Sequence, residues 1–146
     1  MKLSFIIISY KSDHLLNNLL NKISKKHEVI VIENSLQKKT KNKIEKKFKN
    51  SKVIIPSKNL GYASAFNKAF KLSKNNFLIT LTPDVVINKK LILQIEILIN
   101  RFKNFHLMAP EYRNQKIYRN FTPISNSKSM FKIYRHEIIA LKEIDW

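Results

Sequence analysis

Four short clusters of polar residues, each directly after an apolar run, carry most of the chemistry this sequence offers. Ser9, Tyr10 and Lys11 follow the first run, and Glu33, Asn34 and Ser35 follow the second. Asn59, Leu60 and Gly61 follow the third, and Thr82, Pro83 and Asp84 the fourth. Together they hold two carboxylates, several hydroxyl and amide groups, and the single glycine of the chain. A carboxylate in such a place accepts hydrogen bonds from ligand hydroxyl or ring N–H groups. Glycine allows positive φ or close backbone approach, so its position in one of these clusters is informative. Plainer readings stand beside these. Pro83-Asp84, Asn59 and Gly61 are also turn formers, Glu33 also reads as a solvated acid among lysines, and Asn67 as an exposed helix residue. His14, His27, His106 and His136 show no metal-ligand spacing and read as surface or satisfied core residues.

Around these clusters the chain alternates buried strands with helical periodicity. Residues 3–10, 28–32, 52–56 and 77–81 are short, β-branched-rich runs of the kind covered on both faces of a sheet. Between them lie amphipathic segments. Ser12 is placed to cap a helix striped by Leu15, Leu16, Leu19, Leu20 and Ile23. Residues 37–50 turn only Thr40, Ile44 and Phe48 inward, and residues 62–73 turn Ala65, Phe66, Ala69 and Phe70 inward. A fourth helix, about 88–102, bears Leu91, Ile92, Ile95, Leu98, Ile99 and Phe102. Such βαβ repetition predicts an α/β fold with a mostly parallel sheet, right-handed crossovers and helices on both faces. In that fold ligands bind outside the carboxyl ends of the strands, where all four clusters fall. Past residue 105 the rhythm changes to short strands at 106–109, 116–118 and 129–134, then a helical turn at 136–141. The whole reads as one domain, with residues 1–105 forming the βα units.

Composition narrows the class. At 146 residues the chain can bury a real core, and one glycine excludes any Gly-rich phosphate loop, whether dinucleotide-binding or P-loop. No Cys means no disulfide or thiolate metal site. No apolar run approaches the roughly 20 residues of a membrane span, and the first is too short for a signal h-region, which reads as a soluble or peripheral, cytoplasmic protein. The formal charge of +18 comes from 28 basic against 10 acidic residues, and 24 of the basic residues are Lys. Lys, Ile and Asn make up 61 of 146 residues, all with A/T-rich codons, so much of the charge reflects genome base composition. Seven lysines crowd residues 37–50, a solvated face or a surface for anionic membrane.

The four clusters also resemble a known family. Residues 59–67, Asn-Leu-Gly-Tyr-Ala-Ser-Ala-Phe-Asn, resemble the N-x-G-x-A-x-A-x-N stretch of family 2 glycosyltransferases, and Thr82-Pro83-Asp84-Val85 resembles their N-P-D-V variant of D-x-D. The first strand resembles one ending in T-Y-N, and Val31-Ile32-Glu33-Asn34-Ser35 resembles V-V-D-N-S with Glu for Asp. All four occur in the family's order and spacing, and the segment with Pro110, Pro123 and 130–135 is similar too.

The resemblance implies a GT-A fold, a nucleotide-diphospho-sugar donor, and inverting transfer to a cell-envelope glycan or lipid-linked acceptor, as in rhamnosyltransferase-like members. It implies Asp84 as the ligand of a divalent cation, Mg²⁺ or Mn²⁺, that offsets the leaving diphosphate's charge. Glu33 matches the acid that contacts the nucleoside, Ser9 and Tyr10 the base or ribose contacts, and Asn59, Gly61 and Asn67 the donor loop. Thr82 departs from the family's Asn or Asp. Residues 142–146 resemble the start of the phrase G-G-F-D-E. Asp145 matches its Asp, but the usual general base lies later, so no catalytic base is assigned. The expectation is a donor-binding half whose acceptor side begins at 106, inactive alone, truncated or completed by another chain. A non-enzymatic basic module for nucleic acid or another anionic partner is the alternative, although no helix-turn-helix, zinc-finger or RNP-like motif is present.

Overall fold

A computed structural model of the chain describes residues 1–102, 107–110 and 131–134. Its elements run β1 (Ser4–Ser9), α1 (Asp13–Leu20), β2 (Glu28–Glu33), α2 (Lys38–Lys47), β3 (Ser51–Ile54), α3 (Gly61–Leu72), β4 (Leu78–Leu81), α4 (Lys89–Arg101), β5 (Leu107–Pro110) and β6 (Phe131–Tyr134). The chain divides into a larger unit on residues 1–96 and a smaller one on 97–144, the division falling inside α4. Within the smaller unit β5 and β6 pair antiparallel, with Leu107 opposite Tyr134 and Pro110 opposite Phe131.

The larger unit is built on a four-stranded parallel sheet of order β3-β2-β1-β4. β1 and β2 occupy its middle because their runs, SFIIIS and EVIVIE, tolerate burial on both faces. One pleat carries Ile6, Ile8, Ile30 and Ile32, which pack against Ala65 and Ala69 of α3. The other carries Phe5, Ile7, Val29, Val31 and Val53, all at most 1% exposed. Each such aliphatic side chain stabilises the fold by about 1.5–3 kcal/mol through burial. Leu16, Leu19 and Leu20 of α1 and Ile44 of α2 are likewise buried.

The connections decide where a ligand can sit. β1 leads through α1 to β2 and on to β3, whereas β3 returns through α3 to β4 on the far side of β1. Crossovers therefore diverge between β1 and β4, and the carboxyl ends of those strands form the switch point of the sheet. β4 leaves its ladder at Leu81, level with Ile7, so the turn Thr82-Pro83-Asp84 follows alongside Ser9, Tyr10 and Lys11.

Several expectations need correcting. Ser12 stands at the N-cap of α1 but does not cap it: its hydroxyl donates back to Tyr10 O at 2.7 Å. α1 stops at Leu20, and Ile23 is buried from the following turn, tied by Ile23 N to Leu20 O. Phe70 faces outward at 53% exposure, because α3 approaches the sheet through its two alanines, while Phe66, stacked on Phe70, packs partly buried against that core as expected. Phe48 ends α2 in an extended conformation and is half-buried. The expected strand at 116–118 and turn at 136–141 lie outside the described residues, as do His106 and His136.

Candidate functional site

β1 and β2 end together, with Ser9 directly opposite Glu33 on the same pleat. Both side chains are fully buried, so Glu33 is not the solvated strand-end acid of the plainer reading. Its Oε1 accepts from Ser35 N at 2.9 Å and from the Ser35 hydroxyl as well. Among the described residues its Oε2 has no hydrogen-bond partner, and neither has Ser9 Oγ. Two buried, neighbouring oxygens without partners are uncommon in folded proteins, where such groups answer to water or to a ligand. Ser35 Oγ in turn accepts from Lys11 N at 3.2 Å, tying the turn after β1 to the turn after β2.

Asn34 extends that tie to the turn that follows the third strand. It is 3% exposed, its N–H donates to Ser9 O at 2.8 Å, and its Nδ2 donates to Gly61 O at 3.0 Å. Its Oδ1 accepts from Leu60 N at 3.4 Å. Gly61 N donates to Asn59 Oδ1 at 2.9 Å, which closes the turn that opens α3. Gly61 has φ +69°, and a Cβ added there meets nothing within 4 Å, so backbone conformation rather than space calls for glycine. Asn34 is the site residue that sequence reasoning placed in a cluster but left without a role. The available signal was chemical: an amide both donates and accepts, and this one follows a buried strand.

Asp84 is exposed in the turn that follows β4, and hydrogen bonding lowers the pKa of its carboxyl, first from the Thr82 hydroxyl and then from its own backbone amide. Thr82, which departs from the family pattern, thus favours the ionised form of Asp84. No group of three or more His, Asp or Glu side chains suited to a metal exists among the described residues. One ionised, accessible carboxylate still fits Mg²⁺, which keeps its waters and takes ligand phosphates in place of a protein cage. Tyr10 is 52% exposed at the switch point. Asn67 lies inside α3, half-buried, with no hydrogen bond linking it to the Asn59–Gly61 turn. Asp145 lies outside the described residues.

The structure therefore brings Ser9, Tyr10, Glu33, Asn59, Gly61 and Asp84 to one edge of the sheet. An open depression of about 550 Å³ lies instead beyond β3, lined by Lys38, Lys41, Asn42, Ile55, Pro56 and Ser57. It contains none of the predicted residues and no carboxylate.

The model of the family described as glycosyl transferase family 2 matches residues 4–142. No curated protein sequence matches the chain. Among solved structures it is similar to S. aureus TarS at 23% identity and a TM-score of 0.66, over 92% of this chain and 28% of that one. It is similar to TarS 1-349 in complex with UDP at 24% identity and a TM-score of 0.68, over 92% and 47%. The complex with UDP-GlcNAc aligns at 24% identity and a TM-score of 0.65, over 92% and 45%. These likenesses carry the GT-A fold, and the chain spans less than half the length of each of the three. By its sequence match and its parallel four-stranded sheet, the chain belongs to glycosyltransferase family 2.

Proposed function

We propose that the chain binds a nucleotide-diphospho-sugar donor at the carboxyl edge of β1, β2 and β4 and serves inverting sugar transfer. The observation that carries this reading is the pairing of buried, unpartnered Glu33 Oε2 and Ser9 Oγ with an ionised Asp84 across the switch point. The first pair suits the hydroxyl and N–H groups of a nucleoside, and the second suits a cation that accompanies its diphosphate. The UDP and UDP-GlcNAc in the complexes of the similar TarS support a uridine donor as the first to try. Asp84 is the residue that would hold Mg²⁺ or Mn²⁺, which when bound offsets the diphosphate's negative charge. The Asn34-braced turns hold the nucleoside groups in place before the donor arrives, so little ordering is left to the binding step.

In transfer, the acceptor hydroxyl oxygen bonds to the anomeric carbon as the sugar–diphosphate bond breaks. The electron pair leaves with the diphosphate, and the hydroxyl proton passes to a base. A cell-envelope or lipid-linked acceptor places the reaction at the inner face of the membrane, and the lysines along the outer side of α2 suit an anionic leaflet.

The test is thermal denaturation with UDP-GlcNAc in the presence of Mg²⁺ or Mn²⁺ and again with chelator. A metal-dependent rise in Tm that disappears in Asp84→Asn supports the reading. Salt-sensitive DNA binding with no nucleotide-sugar shift overturns it in favour of a basic binding module.

A further inference from the structure

Lys11 is a cation at the switch point that the site as described leaves without a task. It directly follows Tyr10 at the end of β1 and adopts φ +53°. Side chains with a Cβ avoid this left-handed region, and after glycine it is Asn and Asp that enter it most readily. The backbone is held there by Lys11 N donating to Ser35 Oγ, which itself bonds Glu33, so the conformation belongs to the same tied turns. Leu36 shares the conformation, at φ +63°, in the turn after β2, but it offers no charge.

The Lys11 ammonium lies 5.3 Å from the centroid of the exposed Tyr10 ring, which directs it without neutralising it. No carboxylate pairs with it among the described residues. Asp84 on the neighbouring turn is exposed and is a single charge, and Asp13, which opens α1 two residues after Lys11, is half-buried and forms no ion pair with it. A nucleoside diphosphate brings more negative charge than one Asp-held divalent cation offsets, since that cation is already shared with the carboxylate. An unpaired ammonium at the same edge supplies the rest.

We propose that Lys11 binds a phosphate oxygen of the donor's diphosphate. This rests on the nucleotide-sugar reading and adds a residue to it. The conformation makes the assignment testable in two directions at once. Lys11→Asn relieves the backbone while removing the charge, so it raises Tm by about 1–3 °C yet weakens the protein's affinity for UDP roughly five- to tenfold.

The experiment is calorimetric titration of wild type, Lys11→Asn, Lys11→Arg and Lys38→Asn with UDP, uridine and inorganic pyrophosphate, each with Mg²⁺. Lys38→Asn removes the same charge from α2 and keeps wild-type affinity. Expected are weaker UDP and pyrophosphate binding in Lys11→Asn, unchanged uridine binding, and recovery in Lys11→Arg. UDP and pyrophosphate affinities of Lys11→Asn equal to wild type overturn the role of Lys11 while leaving the site intact. Equal losses in Lys11→Asn and Lys38→Asn overturn it too, by showing general electrostatics. Wild type that binds neither UDP nor pyrophosphate overturns the nucleotide-sugar reading itself.

Discussion

Asn34→Ala is the substitution that most directly probes how the site is held. The side chain is 3% exposed and joins β2 to the loop before α3 through a 3.0 Å bond to Gly61 O and a 3.4 Å bond from Leu60 N. The first bond is worth about 1 kcal/mol and the second, at the limit of bonding distance, a few tenths. Truncating a buried side chain adds about 1 kcal/mol of lost packing, for a total near 2 kcal/mol. At this chain length that lowers Tm by about 4–8 °C. Losing the brace also leaves the Asn59–Gly61 turn to be ordered by the ligand. If about 1.4 kcal/mol of that cost falls on binding, nucleotide affinity drops roughly tenfold. Urea denaturation gives the first quantity and titration with UDP the second. Asn59→Ala is the internal comparison, because its bond to Gly61 N is exposed and is worth under about 1 kcal/mol. Equal effects of the two substitutions on stability and on affinity would refute the claim that Asn34 is the brace.

Other expectations follow from single features of the fold. Gly61→Ala has room for its Cβ but not the backbone preference, so it costs about 1–2 kcal/mol in denaturant midpoint experiments, with no cavity effect. His27 is buried, accepts from Leu3 N through Nδ1 and stands 3.5 Å from Glu96 Oε1, which is itself paired with Lys26. Burial lowers the His27 pKa below 6.5, against the opposing pull of Glu96. The unfolded chain therefore binds the proton more readily, so stability is full above the unfolded value of 6.5 and is lost as pH falls from there toward the folded value. Its slope is at most about 1.4 kcal/mol per pH unit; His27→Gln flattens it in thermal melts from pH 5 to 7. The lysines of α2 predict flotation with vesicles of anionic lipid, abolished by charge reversal at Lys39, Lys43 and Lys46 and absent with neutral lipid.

The core of the fold was legible because its signal is periodic. Unbroken β-branched runs marked β1 and β2 as central strands, and the strand ends then located the site without knowledge of the ligand. Errors fell where a side chain had two uses. Ser12 looked like a cap, but its hydroxyl is taken by Tyr10 O, and Phe70 looked like core, but the two alanines of α3 set the packing face. Glu33 was ambiguous because a lone acid carries no sign of burial in sequence. Only the opposing Ser9 and the Ser35 bonds make it an interior group. Asn34 was overlooked for the same reason, since its partners are backbone atoms 26 and 27 residues away.

The central claim is that the donor occupies the carboxyl edge of β1, β2 and β4. Amide NMR spectra of the labelled chain with UDP, recorded with Mg²⁺ and then with paramagnetic Mn²⁺, test it directly. The account predicts Mn²⁺ broadening centred on Asp84 that takes in Ser9 to Lys11, and UDP-induced shifts at Glu33 to Ser35 and Asn59 to Gly61. Broadening and shifts confined to the lysines of α2 and the depression beyond β3 would contradict it.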